Sequence, residues 1–352
     1  MKALKTLALI LVLALTLSAC GVIRSDDGPT EVVGGTQPAE PQEAAQPEEP
    51  APQPAGPVPV EAVRAGALKG PTAMGMIHMM ADDGVNSYTL AGSADELTPA
   101  LIKGELDIAC VPANLAAVLY HKTEGQIVTL AVNTLGVLYI VENGGETVQS
   151  MEDLKGRTLV AAGKGSTPEF GLRYLLEQSG MDPDRDVTID WKSEHAECVA
   201  ALAAGTADLA LLPQPFVTVA QGKLGDGLRV ALDLTAEWDA LDNGSAMITG
   251  VAVARRDLVE QKPELVDRFL EEYAGSVAWV NENPAEAAEL IAANGIIESA
   301  AIAEKALPYC NIVCLTGQEM SEKLSGYLQV LAAANPESVG GALPGDDFYY
   351  GA

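Results

Sequence analysis

The sequence predicts an α/β protein of two similar lobes, each with a mostly parallel sheet, and three observations lead to that class. The first is an apolar run, Thr158–Ala162, that breaks into Gly163-Lys164-Gly165-Ser166-Thr167, after which Pro168 opens a helical pattern through Phe170, Leu172, Leu175 and Leu176. The second is a copy of this device: strand-like residues 61–68, the turn Lys69-Gly70-Pro71-Thr72, then Met74, Ile77, Met79 and Met80 at helical spacing. The third is a paired segment, Gly104-x-x-Asp107 running into Val111-Pro112 and Gly205-x-x-Asp208 running into Leu212-Pro213, in which a helix ends and a buried strand follows. Two linked matches in the same order are the grammar of an internal repeat.

The elements follow in order from the amino end. Lys2 and Lys5 precede an apolar run from Leu7 to Leu17, and Leu17-Ser18-Ala19-Cys20 completes the pattern of a bacterial lipoprotein signal, residues 1–20, with Cys20 as the acylated residue. The run is shorter than the ~20 apolar residues of a membrane-spanning helix. Residues 21–60 are rich in Pro, Glu, Gln and Ala and nearly devoid of large apolar side chains, so they cannot offset their ordering entropy and read as a disordered tether. The expected address is the extracytoplasmic side of the cell membrane, reached through a lipid anchor alone.

Beyond the tether, residues 61–140 and 247–352 are expected to form lobe I and residues 141–246 lobe II. Ser93-Ala-Asp-Glu96 has capping-box spacing before a helix. The continuous apolar stretch of residues 127–141 is longer than one strand and is expected to break at Asn133-Thr134-Leu135-Gly136 while crossing between lobes. Residues 247–254 are the return crossing. The remainder is helical, with Leu265, Val266, Phe269, Leu270, Tyr273, Val277 and Val280 forming one stripe and Thr316 with Glu319 a second capping box.

With 352 residues, 48% of them hydrophobic, the chain can bury two cores. A formal net charge of −28 argues against nucleic acid or an anionic membrane as direct partners. The turn at Gly163 is not a nucleotide phosphate loop, because its lysine precedes the second glycine. It does offer amides, hydroxyls and a helix's positive end to a ligand bearing oxygens.

Gly156-Arg-Thr-Leu159, the segment from Gly205 to Leu212-Pro213-Gln214-Pro215-Phe216, and Asn281-Glu-Asn-Pro284 resemble the taurine, nitrate, sulfonate and thiamine-precursor group of ABC-importer solute-binding proteins. The resemblance runs from Val60 onward. It implies a type II periplasmic-binding fold with two crossover strands, closing on a small molecule that is handed to a membrane permease. It also implies no catalysis and no cofactor. The ligand would be a sulfonate, a nitrate-like anion or a heterocyclic vitamin precursor.

Open α/β sheets place ligands at the carboxyl ends of their strands. The expected contacts there are Pro71 and Thr72, Asn114, Leu135 and Gly136 at the crossing, Ser166 and Thr167, and Gln214 with Pro215. Thr72, Ser166 and Thr167 would donate to an oxygen-bearing head group, and Asn114 and Gln214 would fix its orientation. No metal site is expected: His195 and Cys198 lie at helical spacing, but zinc needs about four convergent ligands. Cys310-Asn-Ile-Val-Cys314 is a possible disulfide if its α-carbons approach within ~7 Å. Two other functions stay open: a secreted enzyme of the pyrimidine-forming type, although its cysteine-rich iron motif is missing, and a surface interaction lipoprotein without a small ligand.

Overall fold

The computed structural model of the protein describes residues 61–82 and 84–352. The expected signal, the acylated Cys20 and the tether of residues 21–60 lie outside the described residues.

Strand β1 (Arg64–Leu68) leads into a turn at Lys69-Gly70, and helix α1 (Pro71–Met74) begins with a proline where its missing amide costs nothing. Helix α2 (Ile77–Asp82), strand β2 (Ser87–Ala91) and helix α3 (Ala94–Lys103) follow. Ser93 stands at the N-cap of α3, but its hydroxyl donates to the Glu96 carboxylate at 3.1 Å, so the expected box is a side-chain pair and not a cap on the backbone. Strand β3 (Ile108–Pro112) is buried on both faces almost throughout and leads into α4 (Ala113–Lys122). The long apolar stretch divides into β4 (Ile127–Leu135) and β5 (Leu138–Asn143), with the break at Gly136-Val137, slightly later than expected.

The second half of the repeat is β6 (Thr158–Ala162), α5 (Thr167–Gln178), β7 (Thr188–Lys192), α6 (His195–Ala203), β8 (Leu209–Pro213) and α7 (Phe216–Leu224). Strand β9 (Leu228–Asp233), helix α8 (Leu234–Asp239) and strand β10 (Ile248–Arg255) return the chain to the first sheet. Helices α9 (Arg256–Gln261), α10 (Pro263–Glu282), α11 (Pro284–Ala293) and α12 (Ala300–Ala306) precede β11 (Ile312–Leu315) and α13 (Gly317–Ala334).

The first sheet has the order β11-β4-β10-β3-β1-β2 and the second β7-β6-β8-β5-β9. Without the added edge strand β11, the two orders are the same when β1 is matched to β6, β2 to β7, β3 to β8, β10 to β5 and β4 to β9. The two halves of the sequence repeat thus occupy equivalent positions. In the second sheet β7, β6, β8 and β9 run one way and β5 runs against them. In the first, β10 and β11 run against β1, β2, β3 and β4. Strands β5 and β10 are each the first to enter their sheet after a crossing, so the α/β, two-lobed periplasmic-binding architecture carries one reversed strand per repeat at the crossing point.

The cores are arranged unequally. One flank holds a continuous apolar core that includes Val111, Val132 and Val251 of the first sheet, Leu159, Ala161 and Leu211 of the second, and Leu324, Tyr327 and Leu328 of α13. On the other flank the core is split: one part, with Met74, Met76, Phe269 and Tyr273, belongs to the first sheet and its helices, and another, with Val141, Val160, Leu202 and Leu212, to the second. Met74, Met76 and Met79 after the Gly70 turn are accordingly core residues, with Met80 packed half-buried against them. Trp238 is fully buried between Tyr174 and Tyr327, its indole N–H donating to Ser245.

The disulfide considered between Cys310 and Cys314 is not formed; both are free thiols. Cys310 closes a 3-10 turn and turns its Sγ to the Ala306 carbonyl at 3.2 Å, while Asn311, at a φ of 45°, redirects the chain into β11. Cys314 then lies within the extended backbone of β11. Among the described residues no helix is long and apolar enough to cross a membrane.

Candidate functional site

Only Gly136-Val137 separates β4 from β5, so the carboxyl ends of the two sheets face each other across the crossings. Every turn named from the sequence lies there: after β1, β3, β4, β6 and β8. Their side chains are engaged differently from expectation.

Thr72 Oγ1 donates to the Leu68 carbonyl at 2.8 Å, closing its own turn. Pro71 opens α1, and Thr72 beside it meets the return crossing at Gly250, where an added Cβ would lie 2.4 Å from Asn133 Oδ1 and 2.7 Å from Thr72 Cγ2. Only a residue without a side chain lets those three segments converge. Asn114 is turned away from the crossing: its Nδ2 donates to the Ser338 carbonyl at 3.3 Å beneath the C-terminal segment.

At the Gly163 turn, Ser166 occupies the N-cap of α5 but its hydroxyl donates to the Gly163 carbonyl at 2.7 Å. The Gly165 N–H, which would hold an anion, already donates to the Glu169 carboxylate at 2.6 Å. Thr167 is buried and its Oγ1 accepts from the Tyr327 hydroxyl of α13 at 3.2 Å. The cradle is thus filled by the protein's own groups, a carboxylate among them.

The crossing itself gathers more polar groups than the sequence suggested. Leu135 receives the Thr249 hydroxyl on its carbonyl, and Asn311 Nδ2 donates to the Gly136 carbonyl. Gln214 donates its backbone N–H to Val137 at 3.0 Å, and its Oε1 accepts from the Thr218 hydroxyl at 2.9 Å; Pro215 starts α7 beside it. Asn133 and Thr134 are buried in β4, with Thr134 Oγ1 donating to Asn133 Oδ1. Thr72, Leu135, Gly136, Gln214 and Pro215 therefore gather around the crossing, whereas Asn114 and Thr167 are drawn to the C-terminal segment. Reading from the sequence missed Asn133, Thr134, Thr249 and Asn311; two polar residues inside a continuous apolar run were the available signal for the first pair.

A cavity of about 320 Å³ opens at the carboxyl ends of β8 and β9. Tyr139 and Asp233 stand directly opposite each other in the β5–β9 ladder, so both leave the same face of the sheet. Gln214 and Gln221 join them from the second sheet's side, and Tyr309, just before β11, closes the far wall. The Tyr139 hydroxyl donates to the Tyr309 carbonyl at 3.1 Å. Burial, and then the charge of Asp233, push the Tyr139 hydroxyl up from its usual range. A larger hollow of about 430 Å³, lined by Lys103, Lys122 and Arg255 among others, lies at the opposite ends of the first sheet, where β4 begins and β10 ends. Arg255 there is paired with Asp257 at 2.6 Å, and the crossing is remote from it.

The thiols are unsuited to nucleophilic work: burial pushes Cys110 and Cys310 up to about 12 and Cys314 up to about 11. Cys198 Sγ turns to the Glu194 carbonyl, and the His195 ring lies against Phe216.

The family model described as ABC transporter, phosphonate, periplasmic substrate-binding protein matches residues 87–304. No curated protein matches the chain. An ABC transporter from Parabacteroides distasonis matches in structure with a TM-score of 0.70 and 24% identity, over 82% of this chain and 99% of that one. The periplasmic aliphatic sulphonate binding protein SsuA from Escherichia coli matches at 0.61 and 19% identity, over 80% and 86%. The desulfurization enzyme DSZB matches at 0.57 and 15%, over 78% and 93%. At such identities these likenesses concern the fold alone.

Proposed function

The chain belongs to the periplasmic substrate-binding family of ABC transporters that is described for phosphonate, and from that premise we propose that it is a membrane-anchored solute-capture lipoprotein. In this reading Cys20 carries the acyl anchor, residues 21–60 hold the lobes off the membrane, and the lobes close on a small molecule that is delivered to an ABC permease. A ligand touching both lobes stabilises the closed arrangement by its differential affinity for it, and no covalent step is needed. The observation that supports this best is the pair of sheets with one strand order, joined so that their carboxyl ends and polar crossing residues face each other.

Among the solutes suggested by the sequence, the chemistry of the turns favours a nitrogen-bearing heterocycle over a sulfonate or nitrate-like anion. Glu169 already occupies the Gly165 amide, and the Thr72 and Ser166 hydroxyls donate to carbonyls of their own turns. An oxyanion would have to displace a carboxylate from the helix end best suited to hold it. The buried, weakly acidic thiols give no support to the enzyme reading.

The test is to denature the purified chain, identify any released compound by mass spectrometry, and add it back. Bound solute should raise stability as RT ln(1 + [L]/Kd), about 2.7 kcal/mol at a hundredfold excess over Kd, and should compact the protein in small-angle scattering. A chain that releases nothing and responds to no small molecule would be an interaction protein instead. Acyl labelling that survives Cys20→Ala would overturn the anchor.

A further inference from the structure

The cavity at the crossing lies on the flank where the apolar core is split. Its walls come from the second sheet's own core on one side, through Tyr139 and Val217, and from Tyr309 at the edge of the first sheet's core on the other. A molecule bound there would touch both lobes along the seam where they share no continuous packing. Tyr309 is 55% exposed and forms part of the mouth.

Its charge is one-sided. Among the described residues, no lysine, arginine or histidine lines the cavity, and one carboxylate does. Asp233 Oδ1 is used by the Thr235 and Ala236 amides at the start of α8. Among the described residues Oδ2 has no hydrogen-bond partner, so it is available to a ligand. Arg229, toward the other end of β9, is paired with Glu142, and neither Lys223 of α7 nor Lys305 of α12 belongs to the lining. The negative field reaches further along α8, where burial and then Glu152 and Asp233 push the Glu237 carboxyl up.

We propose that this seam cavity binds an organic cation, a solute with an ammonium or amidine-like nitrogen, with Asp233 as its counter-ion and Tyr139 and Tyr309 as its aromatic walls. A carboxylate is the natural partner for such a group, and a tyrosine face attracts a cation within about 6 Å of its centroid. An alkylphosphonate or alkylsulfonate in the same place would meet Asp233 with no compensating cation, and like charges at contact distance repel. About 320 Å³ suits a small amine and its carbon skeleton. The inference rests on the solute-capture reading and narrows it to one class of solute.

The experiment is calorimetric titration and thermal shift of the full chain with choline and agmatine, alongside ethylphosphonate and ethanesulfonate. Asp233→Asn is the informative variant, because asparagine preserves the cap on α8 while removing the charge. Tyr309→Leu keeps the carbonyl that Tyr139 uses and removes the ring. Binding of choline or agmatine that weakens roughly 10- to 100-fold in Asp233→Asn, and also weakens in Tyr309→Leu, is the expected result. Cation binding unchanged in Asp233→Asn overturns the site. Binding of ethylphosphonate or ethanesulfonate instead, undiminished in Asp233→Asn, overturns the solute class but leaves solute capture standing. If none of the four probes binds, the proposal fails, while solute capture is still judged by whether the denatured chain releases a small molecule.

Discussion

Gly136→Ala puts a methyl group into the narrowest point of the first crossing. The added Cβ would lie 2.1 Å from Thr235 Oγ1, 3.1 Å from Thr235 Cβ and 3.2 Å from Met247 Sδ. Non-bonded heavy atoms prefer separations of about 3.5–4.0 Å, so the shortest contact is too close by well over an ångström. Rotating Thr235 relieves only part of this, because a β-branched side chain has few allowed rotamers and its Cβ is itself close. Overpacking of this kind costs about 1–3 kcal/mol. Thr235→Ala alone should be nearly neutral, because its hydroxyl is buried with no hydrogen-bond partner among the described residues and its removal ends a desolvation cost. In the double variant the worst contact is gone, so most of the loss should return, a coupling of about 1–2 kcal/mol. Urea denaturation followed by tryptophan fluorescence measures this, because the buried Trp238 lies on the same short helix as Thr235. Equal destabilisation by Gly136→Ala in both backgrounds would refute the assigned contact, as would a fully stable single variant.

Three further outcomes are expected. Glu142 is buried, which raises its pKa, but hydrogen bonds from Thr147, Val148 and Arg229 prevail and hold it at about 2; its stabilisation of about 3 kcal/mol is present above pH 4.5 and lost as pH falls toward 2, and Glu142→Gln should abolish that acid dependence in denaturant melts. Burial lowers His195 to about 4, so the unfolded chain takes up the proton first; stability should fall by about 2 kcal/mol between pH 7 and 5, and His195→Phe should flatten that slope, an unchanged slope assigning it to other groups. Tyr327→Phe removes the bond to Thr167 and should cost about 1 kcal/mol, read as a lower urea midpoint that Thr167→Val does not lower further.

The strand, turn and helix at Gly163 and its counterpart at Gly70 were legible because glycine and proline punctuate locally and apolar spacing fixes the period. The Gly-x-x-Asp segments located β3 and β8 for the same reason. The placement of β10 between β3 and β4 depends on pairing across more than a hundred residues, which no local pattern encodes. Hydrogen-bonding state was also hidden. Thr167 looks like a free cap in sequence, yet its partner Tyr327 is 160 residues away, and Asn114 finds Ser338 at a separation of 224. Asp233 carried no signal in the sequence; the β5–β9 register sets it opposite Tyr139. The Cys310 and Cys314 spacing suggested a bridge because spacing carries no information on the left-handed turn at Asn311.

The repeat builds a cleft from two equivalent halves, and the C-terminal segment then makes it unequal. Helix α13 returns along one flank, completes the core shared by both sheets and takes Thr167 through Tyr327. The half-site at Gly163, equivalent in the repeat to the one at Gly70, is thereby tied to the continuous core, with its free amide satisfied by Glu169. On the other flank α10, α11 and α12 pack into the first sheet's own core, no element among the described residues completes a core shared with the second sheet, and the space between the two cores remains open beside Gln214 and Asp233. Burial of apolar surface at roughly 25 cal/mol per Å² favours keeping the α13 side closed over separating the seam. The region of the repeat most obvious in the sequence is therefore the one the fold has closed, and the available polar cavity lies across the crossing from it.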